Sequence, residues 1–254
     1  VVSYCRALML VRNNATVGWG FEYGVFDYPV ELVRSTRRKS VSIQVADGLI
    51  QLRVPQSISK REIEQLLERK RRWIEGKVAL QSALPRLQPK QYLKGEQFLY
   101  LGKEYPLQLT SDFPYRVTLQ GDQLLLGVKP STSLEQQPQW IKKQLTAWYR
   151  EQALQRLQER TAHFARVVGV KPASVVVRTY RARWGSCSSR GDIRYNWKLI
   201  MGPAEVIDYV VVHELCHLLE HNHSPAYWRR VEQFMPDYRE QREWLKRSGR
   251  ILSL

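Results

Sequence analysis

One short segment constrains this chain more than any other: two histidines lie four residues apart, directly after the apolar run Val210–Val212. The apolar run predicts a buried helix, for which Pro203 suits the first turn. Residues four apart share one helix face, so His213 and His217 can direct imidazole nitrogens at the same metal ion. Glu214 lies about 100° further around the helix. It is therefore placed to reach a water on that metal as a general base, and is not expected to be a third ligand.

A third protein ligand has to come from further along the chain, because catalytic zinc sites use three protein ligands and leave one position open. The sequence offers His221 and His223. In a continuous helix His221 would lie about 12 Å along the axis from His213, too far for one ion to bridge. We expect the chain to turn, with Asn222 as a left-handed cap and Ser224-Pro225 beginning a new helix. His223 is then the favoured ligand, and His221 is expected beside the site or on the surface.

Residues 29–135 are predicted to form a β-rich region with one inserted helix. Turn signals at Asp47-Gly48, Gly102-Lys103 and Gly121-Asp122 separate short apolar segments and predict three hairpins. The inserted helix begins with a capping box formed by Ser59 and Glu62, and its apolar spacing continues to Val78. Residues 1–28 have no clear pattern and stay unassigned.

Residues 136–254 have a different pattern. They begin with an amphipathic helix from Trp140 to about Val167, followed by β-branched strands at Ser174–Thr179 and Ile193–Trp197. The motif helix and a further helix after Ser224 complete this half. The chain as a whole is therefore predicted to be an α+β protein, with a second half that contains a small sheet.

The charge balance favours acidic partners: 40 Lys and Arg against 24 Asp and Glu give a net charge of +16. Arg181 and Arg183 belong to a basic segment that could bind a nucleotide or nucleic acid, since guanidinium groups bind phosphates and carboxylates bidentately. The three cysteines do not form a disulfide framework, which favours a reducing compartment. No run approaches the roughly 20 apolar residues of a transmembrane helix, so a cytoplasmic protein is expected. The oligomeric state is left open.

The motif His213-Glu214-Leu215-Cys216-His217, followed by His223-Ser224-Pro225-Ala226-Tyr227-Trp228, resembles the YgjP-like metallopeptidase family, which is related to the SprT-like and WLM zinc peptidases. The stretch Arg181–Cys187 and the triplet Tyr195-Asn196-Trp197 are also similar to that family, and the resemblance covers about residues 29–250. It implies a zincin-like catalytic half at 136–254. It also implies Zn2+ held by His213, His217 and His223, and Glu214 as the catalytic residue.

Three functions follow as hypotheses. The first is a zinc peptidase that binds an extended peptide or protein substrate at a sheet edge, for which the strand Ile193–Trp197 is the candidate, with Tyr195 and Asn196 as hydrogen-bonding residues. The second is a metal-dependent nucleotide pyrophosphatase that uses Arg181 and Arg183. The third is a nucleic-acid-binding protein with a structural zinc. Gly185 is expected only to permit a tight turn.

Overall fold

The computed structural model describes residues 30–46, 49–82, 88–111, 115–129 and 133–254. Within these residues the fold is α+β, as predicted, with six α-helices and three small β-sheets. The chain divides into two compact units, Val1–Arg86 and Leu87–Leu254, which are described separately.

The first unit contains one three-stranded sheet and two helices. They are β1 (Val30–Ser35), β2 (Ser42–Ala46), β3 (Leu49–Pro55), α1 (Lys60–Arg69) and α2 (Arg71–Ser82). The predicted hairpin of β2 and β3 is confirmed by their antiparallel pairing, while its turn at Asp47-Gly48 lies outside the described residues. β1 pairs in parallel with β3, a long-range contact that no local signal predicted.

The helical part of this unit begins with the predicted capping box. The Ser59 hydroxyl accepts a hydrogen bond from the Glu62 amide, and the Glu62 carboxylate accepts one from the Ser59 amide. The expected single helix is interrupted at Lys70, whose φ of −100° and ψ of 4° leave the helical region. The apolar positions nevertheless enter one core with the β3 side chains: Ile63, Leu67, Ile74 and Val78.

The second unit begins with a four-stranded sheet and a long helix. They are β4 (Gln97–Tyr100), β5 (Lys103–Thr110), β6 (Val117–Gln120), β7 (Gln123–Gly127) and α3 (Gln137–Val168). Both predicted hairpins, β4–β5 and β6–β7, are confirmed, and a parallel pairing of β5 with β7 joins them into the order β4-β5-β7-β6.

The rest of this unit consists of a second small sheet and three helices. They are β8 (Ser174–Arg178), β9 (Gly185–Cys187), β10 (Asp192–Asn196), α4 (Ala204–Cys216), α5 (Pro225–Phe234) and α6 (Tyr238–Ser248), with a 3-10 helix at Trp197–Met201 between β10 and α4. The strand order is β8-β10-β9, so β10 is central and β9 lies at an edge.

The compact units do not follow the predicted boundary between 135 and 136. That boundary was placed where the sequence pattern changes from alternating to helical. In the structure, Phe98, Leu107 and Leu124 of the four-stranded sheet share one core with Leu145 of α3 and Val211 of α4. The predicted β-rich region therefore spans both units, because the side chains of its last four strands are buried against the helices that follow.

Helix α4 is buried on nearly all sides, and the metal motif lies at its C-terminal end. Val206, Ile207 and Val210–Val212 are all buried, as expected for a helix that is apolar around its whole circumference. On the partly exposed side of this helix, Asp208 accepts two hydrogen bonds from Arg160 of α3, at 2.6 and 2.8 Å.

Candidate metal and peptidase site

The three histidines predicted from the motif come together at the end of α4. His213 lies in the last turn of the helix, and His217 is its C-cap residue with φ −66° and ψ −17°, so the helical spacing of four residues is kept. One ring nitrogen from each of His213, His217 and His223 lies within 4.8 Å of the others. The Nε2 atoms of His213 and His223 are only 3.2 Å apart.

The turn that brings His223 back differs from the expected one. Among the described non-glycine residues, positive φ angles occur only at Tyr92 and Leu101, so the prediction of a left-handed Asn222 is wrong. Instead, the amides of Leu219 and Glu220 both donate to the Cys216 carbonyl and tighten the end of α4. These hydrogen bonds satisfy a carbonyl that the helix end would leave free, which removes the need for a left-handed cap.

The segment then restarts as a helix at the predicted position. Ser224 is the N-cap of α5, and its side chain accepts a hydrogen bond from the Tyr227 amide. His221 is exposed and lines the cavity in front of the cluster, but is not part of the three-histidine group.

Tyr227 packs against all three imidazoles and was not predicted to belong to the site. Its ring stacks on His217 at 4.6 Å between centroids and meets His213 and His223 edge-on at 5.3 and 4.8 Å. Its hydroxyl donates to the His213 carbonyl at 2.8 Å. The side chain is fully buried, and it therefore fixes the positions of the imidazoles from behind. The sequence signals for this residue are its place three residues after the Ser224 cap and its membership of the motif His223–Trp228.

The protonation of the cluster suits metal binding. His217 Nδ1 lies 3.2 Å from the Glu220 carbonyl, so this nitrogen carries the proton and Nε2 stays free as a ligand atom. Burial and the neighbouring imidazoles lower the pKa of His213 to about 3, and burial lowers that of His217. Both rings are therefore neutral at pH 7, which is the form that binds metals.

Glu214 is buried and lines the same cavity as the histidines. Burial raises the pKa of its carboxyl to about 8, and the positive charge of Arg183 opposes that rise. The side chain lies against the backbone of Gly185 in β9. A β-carbon built on Gly185 would stand 2.7 Å from Cδ and 2.8 Å from Cγ of Glu214. Gly185 does not have a positive φ, so its role is this close approach and not the expected tight turn.

The strand predicted to be the substrate-binding edge is central. Tyr195 has no exposed surface, and its hydroxyl is hydrogen bonded to Thr161 in the core at 3.0 Å. The Asn196 amide nitrogen donates to the carbonyls of Tyr180 and Arg183, and its oxygen accepts from the Lys198 amide. Both side chains predicted to hydrogen bond a substrate are therefore buried and already hydrogen bonded within the protein. Asn196 instead holds the segment that leads into β9.

A cavity of about 620 Å³ lies in front of the histidine cluster. β9, α4, α6 and the segment with His221 and His223 form its walls. Both arginines predicted to bind substrate are exposed, but only Arg183 lines this cavity, and Arg181 does not. A volume of this size lies in the range of pockets that bind small ligands or several residues of a peptide.

The two cysteines in the described residues are free thiols. Cys216 is buried in the core, and burial raises its pKa to about 12. Cys187 lines the cavity, and burial together with the charge of Glu214 raises its pKa to about 11. A thiol with such a pKa is protonated at pH 7, which disfavours nucleophilic catalysis by Cys187.

Fold and site thus define an α+β protein with a three-histidine cluster behind a cavity, as in a metallopeptidase. A family model described as "YgjP-like, metallopeptidase domain" matches residues 39–248, and the chain belongs to this family. A metallopeptidase zymogen from Pyrococcus abyssi, abylysin, matches with 22% identity over 37% of this chain and 95% of its own, at a TM-score of 0.34. No curated protein matches the chain. No helix in the described residues is long and apolar enough to cross a membrane.

Proposed function

We propose that this protein is a zinc-dependent peptidase in which His213, His217 and His223 hold Zn2+ and Glu214 is the general base. The observation that carries the proposal is the convergence of three imidazoles at one point, with a buried carboxylate from the same helix in the same cavity. Zincins have three protein ligands, an open position and an acid–base residue, and this arrangement provides each of them.

The donor set fits zinc. Two nitrogens bound to one tetrahedral ion at about 2.0–2.1 Å lie about 3.3–3.4 Å apart, and the Nε2 atoms of His213 and His223 lie at 3.2 Å. Because the two Nε2 atoms face each other, Nε2 is the ring nitrogen of His213 directed toward a shared site, and its buried Nδ1 has no hydrogen-bond partner among the described residues. Three imidazole nitrogens favour zinc over magnesium or calcium, which bind oxygen ligands.

In peptide cleavage the metal ion and the protein side chains would have different roles. Bound zinc supplies Lewis acidity, which acidifies water and polarises the carbonyl of the scissile bond. Glu214 accepts the proton of the attacking water and transfers it to the leaving amine. Burial raises the pKa of this carboxyl, and the positive charge of a zinc ion beside it would oppose that rise, as the charge of Arg183 does. Gly185 leaves the space that the carboxylate occupies.

The substrate backbone is proposed to pair with β9. This strand has one free edge, runs antiparallel to β10 and lines the cavity beside Glu214. An extended peptide can add to such an edge through main-chain hydrogen bonds. Arg183, two residues before this strand, is a proposed substrate contact. A role for Arg181 remains a prediction.

The test is the cleavage of a mixed peptide library by zinc-loaded protein, read by mass spectrometry, with Glu214→Gln as the matched control. We expect cleavage by the wild type, and loss of cleavage with unchanged zinc content in the variant. Full activity in Glu214→Gln would remove this residue from the mechanism.

The same protein samples decide between the other hypotheses. If no peptide is cleaved, turnover of nucleoside triphosphates that depends on Arg183 would favour the nucleotide hydrolase. Salt-dependent binding of DNA or RNA without any turnover would favour the structural-zinc protein.

The free thiols of Cys187 and Cys216 support the expectation of a reducing, cytoplasmic location.

A further inference from the structure

The cavity in front of the histidine cluster has a one-sided charge. Among the described residues that line it, Glu214 is the only carboxylate, whereas Arg183, Arg242 and Lys246 are cationic. These cations come from two different parts of the chain, the segment just before β9 and helix α6. A peptide that enters the cavity therefore meets an excess of positive charge close to the histidines.

Arg242 stands out among the four cationic residues of α6. Arg239 pairs with Glu232 at 3.0 Å, while Lys246 and Arg247 pair with Glu243 at 3.0 and 3.1 Å. Arg242 has no acidic partner among the described residues. A cation that lines a cavity without an acidic partner is available for an anionic ligand.

Arg242 is also held in place. Its guanidinium lies over the ring of Trp228 at 4.4 Å, a cation–π contact. The indole in turn stacks on His223 at 5.6 Å with an interplanar angle of 23°, and on Tyr238 at 5.5 Å with an angle of 16°. The stack joins Arg242 to one of the three clustered histidines through a single aromatic ring. Arg242 therefore loses less side-chain freedom when a ligand binds than an arginine without such a contact would lose.

We propose that Arg242 is a specificity-determining residue that binds a carboxylate of the peptide substrate close to the scissile bond. This inference rests on the proposed peptidase function. A guanidinium matches a carboxylate by two parallel hydrogen bonds. Arg183, whose charge also acts on the Glu214 carboxyl, adds positive charge to the same cavity. The carboxylate is either an acidic side chain or the free C terminus of the substrate, and the two sources can be separated.

The size of the effect follows from a charge-assisted hydrogen bond between partly desolvated groups. Such a contact discriminates a carboxylate from its amide by about 10- to 100-fold in binding. The preference is expected to weaken as ionic strength rises, because the cavity is open to solvent and salt screens the charge.

The test uses four versions of a peptide that the wild type cleaves in the library experiment. They carry either Glu or Gln near the scissile bond, each with a free or an amidated C terminus, and kcat/KM is measured for each. We expect the wild type to prefer the carboxylate by at least 10-fold. A difference in kcat/KM between the Glu and Gln peptides identifies an acidic side chain as the source of the carboxylate. A difference between the free and amidated peptides identifies the C terminus.

Two variants separate a local contact from a general charge effect. Arg242→Gln removes the guanidinium from the cavity, and Arg247→Gln removes the same charge from α6 outside the lining residues. We expect the preference to fall to less than 3-fold in Arg242→Gln, mainly through KM, and to persist in Arg247→Gln. An equal loss in both variants, or a wild type that shows no preference, would overturn the inference and leave the peptidase proposal standing.

Binding provides a readout that does not depend on cleavage. The four peptides are titrated into zinc-loaded Glu214→Gln protein and into the same protein carrying Arg242→Gln. If no peptide is ever cleaved, the peptidase proposal fails, and library-derived acidic and neutral peptides are used in the same titration. Binding that is at least 10-fold tighter for the carboxylate and lost with Arg242→Gln still supports a carboxylate site. Equal affinities for the carboxylate and amide versions overturn the proposal of a carboxylate site at Arg242.

Discussion

The backbone of Gly185 lies against the side chain of Glu214, in the space that any larger residue at position 185 would fill. The strand β9 thus approaches the buried carboxylate as closely as van der Waals contact allows. The contact sets the position of a carboxylate that comes from helix α4, and so links the edge strand to the acid–base residue.

Gly185→Ala is expected to displace the Glu214 carboxylate, since the new methyl group would lie 2.7 Å from its Cδ. Peptidase activity should fall by about 100-fold, because small displacements of a reacting group have large effects on rate. Zinc content, measured by elemental analysis, should not change. Gly76→Ala is the control, as a β-carbon there meets nothing within 4 Å. Full activity in Gly185→Ala would show that the contact does not position the carboxylate.

The assignment of the third ligand is tested by comparing His223→Ala with His221→Ala. The first removes a ring nitrogen from the cluster, while the second removes an exposed ring outside it. We expect His223→Ala to lose zinc during dialysis against a weak chelator and His221→Ala to retain one ion per chain. Loss of zinc in His221→Ala alone would reverse the assignment.

The ion pair between Arg160 and Asp208 is expected to stabilise the contact of α3 with α4. Both side chains are largely shielded, with 25% and 19% exposure, and the pair is bidentate. Asp208→Asn should lower the free energy of unfolding by about 1–3 kcal/mol, because a partly buried guanidinium loses its partner. Chemical denaturation gives the value.

The matched comparison is the exposed pair of Lys103 with Asp122, whose side chains are 58% and 84% exposed. Asp122→Asn should change stability by less than about 0.5 kcal/mol, since water and salt screen such pairs. Equal effects of the two substitutions would contradict the role given to burial.

Asp192 is expected to make part of the stability depend on pH. Hydrogen bonds from the hydroxyls of Ser174 and Ser188 lower the pKa of its carboxyl below the ordinary value. Because the folded pKa is lower than the unfolded one, the stabilisation is complete above about pH 5 and is lost as pH falls below about 4. The difference in melting temperature between the wild type and Asp192→Asn should therefore be constant from pH 7 to 5 and shrink toward pH 3. A difference that does not vary with pH would exclude this origin.

Local sequence determined those parts of the fold and of the site that depend on neighbouring residues in the chain. The four-residue spacing of His213 and His217 on an apolar helix, the capping box at Ser59 and the hairpin turns are short-range features. Their geometry follows from helix periodicity and backbone preferences alone. The α+β class followed from the same patterns.

Tertiary structure decided everything that depends on packing between distant segments. The parallel pairing of β1 with β3 and the central position of β10 are long-range choices, for which an alternating pattern carries no signal. The approach of Gly185 to Glu214 and the stack of Arg242 on Trp228 likewise join residues far apart in the chain. A sequence read locally can place two ligands on one helix, but only the packing of α5, α6 and β9 around that helix defines the cavity and its charge.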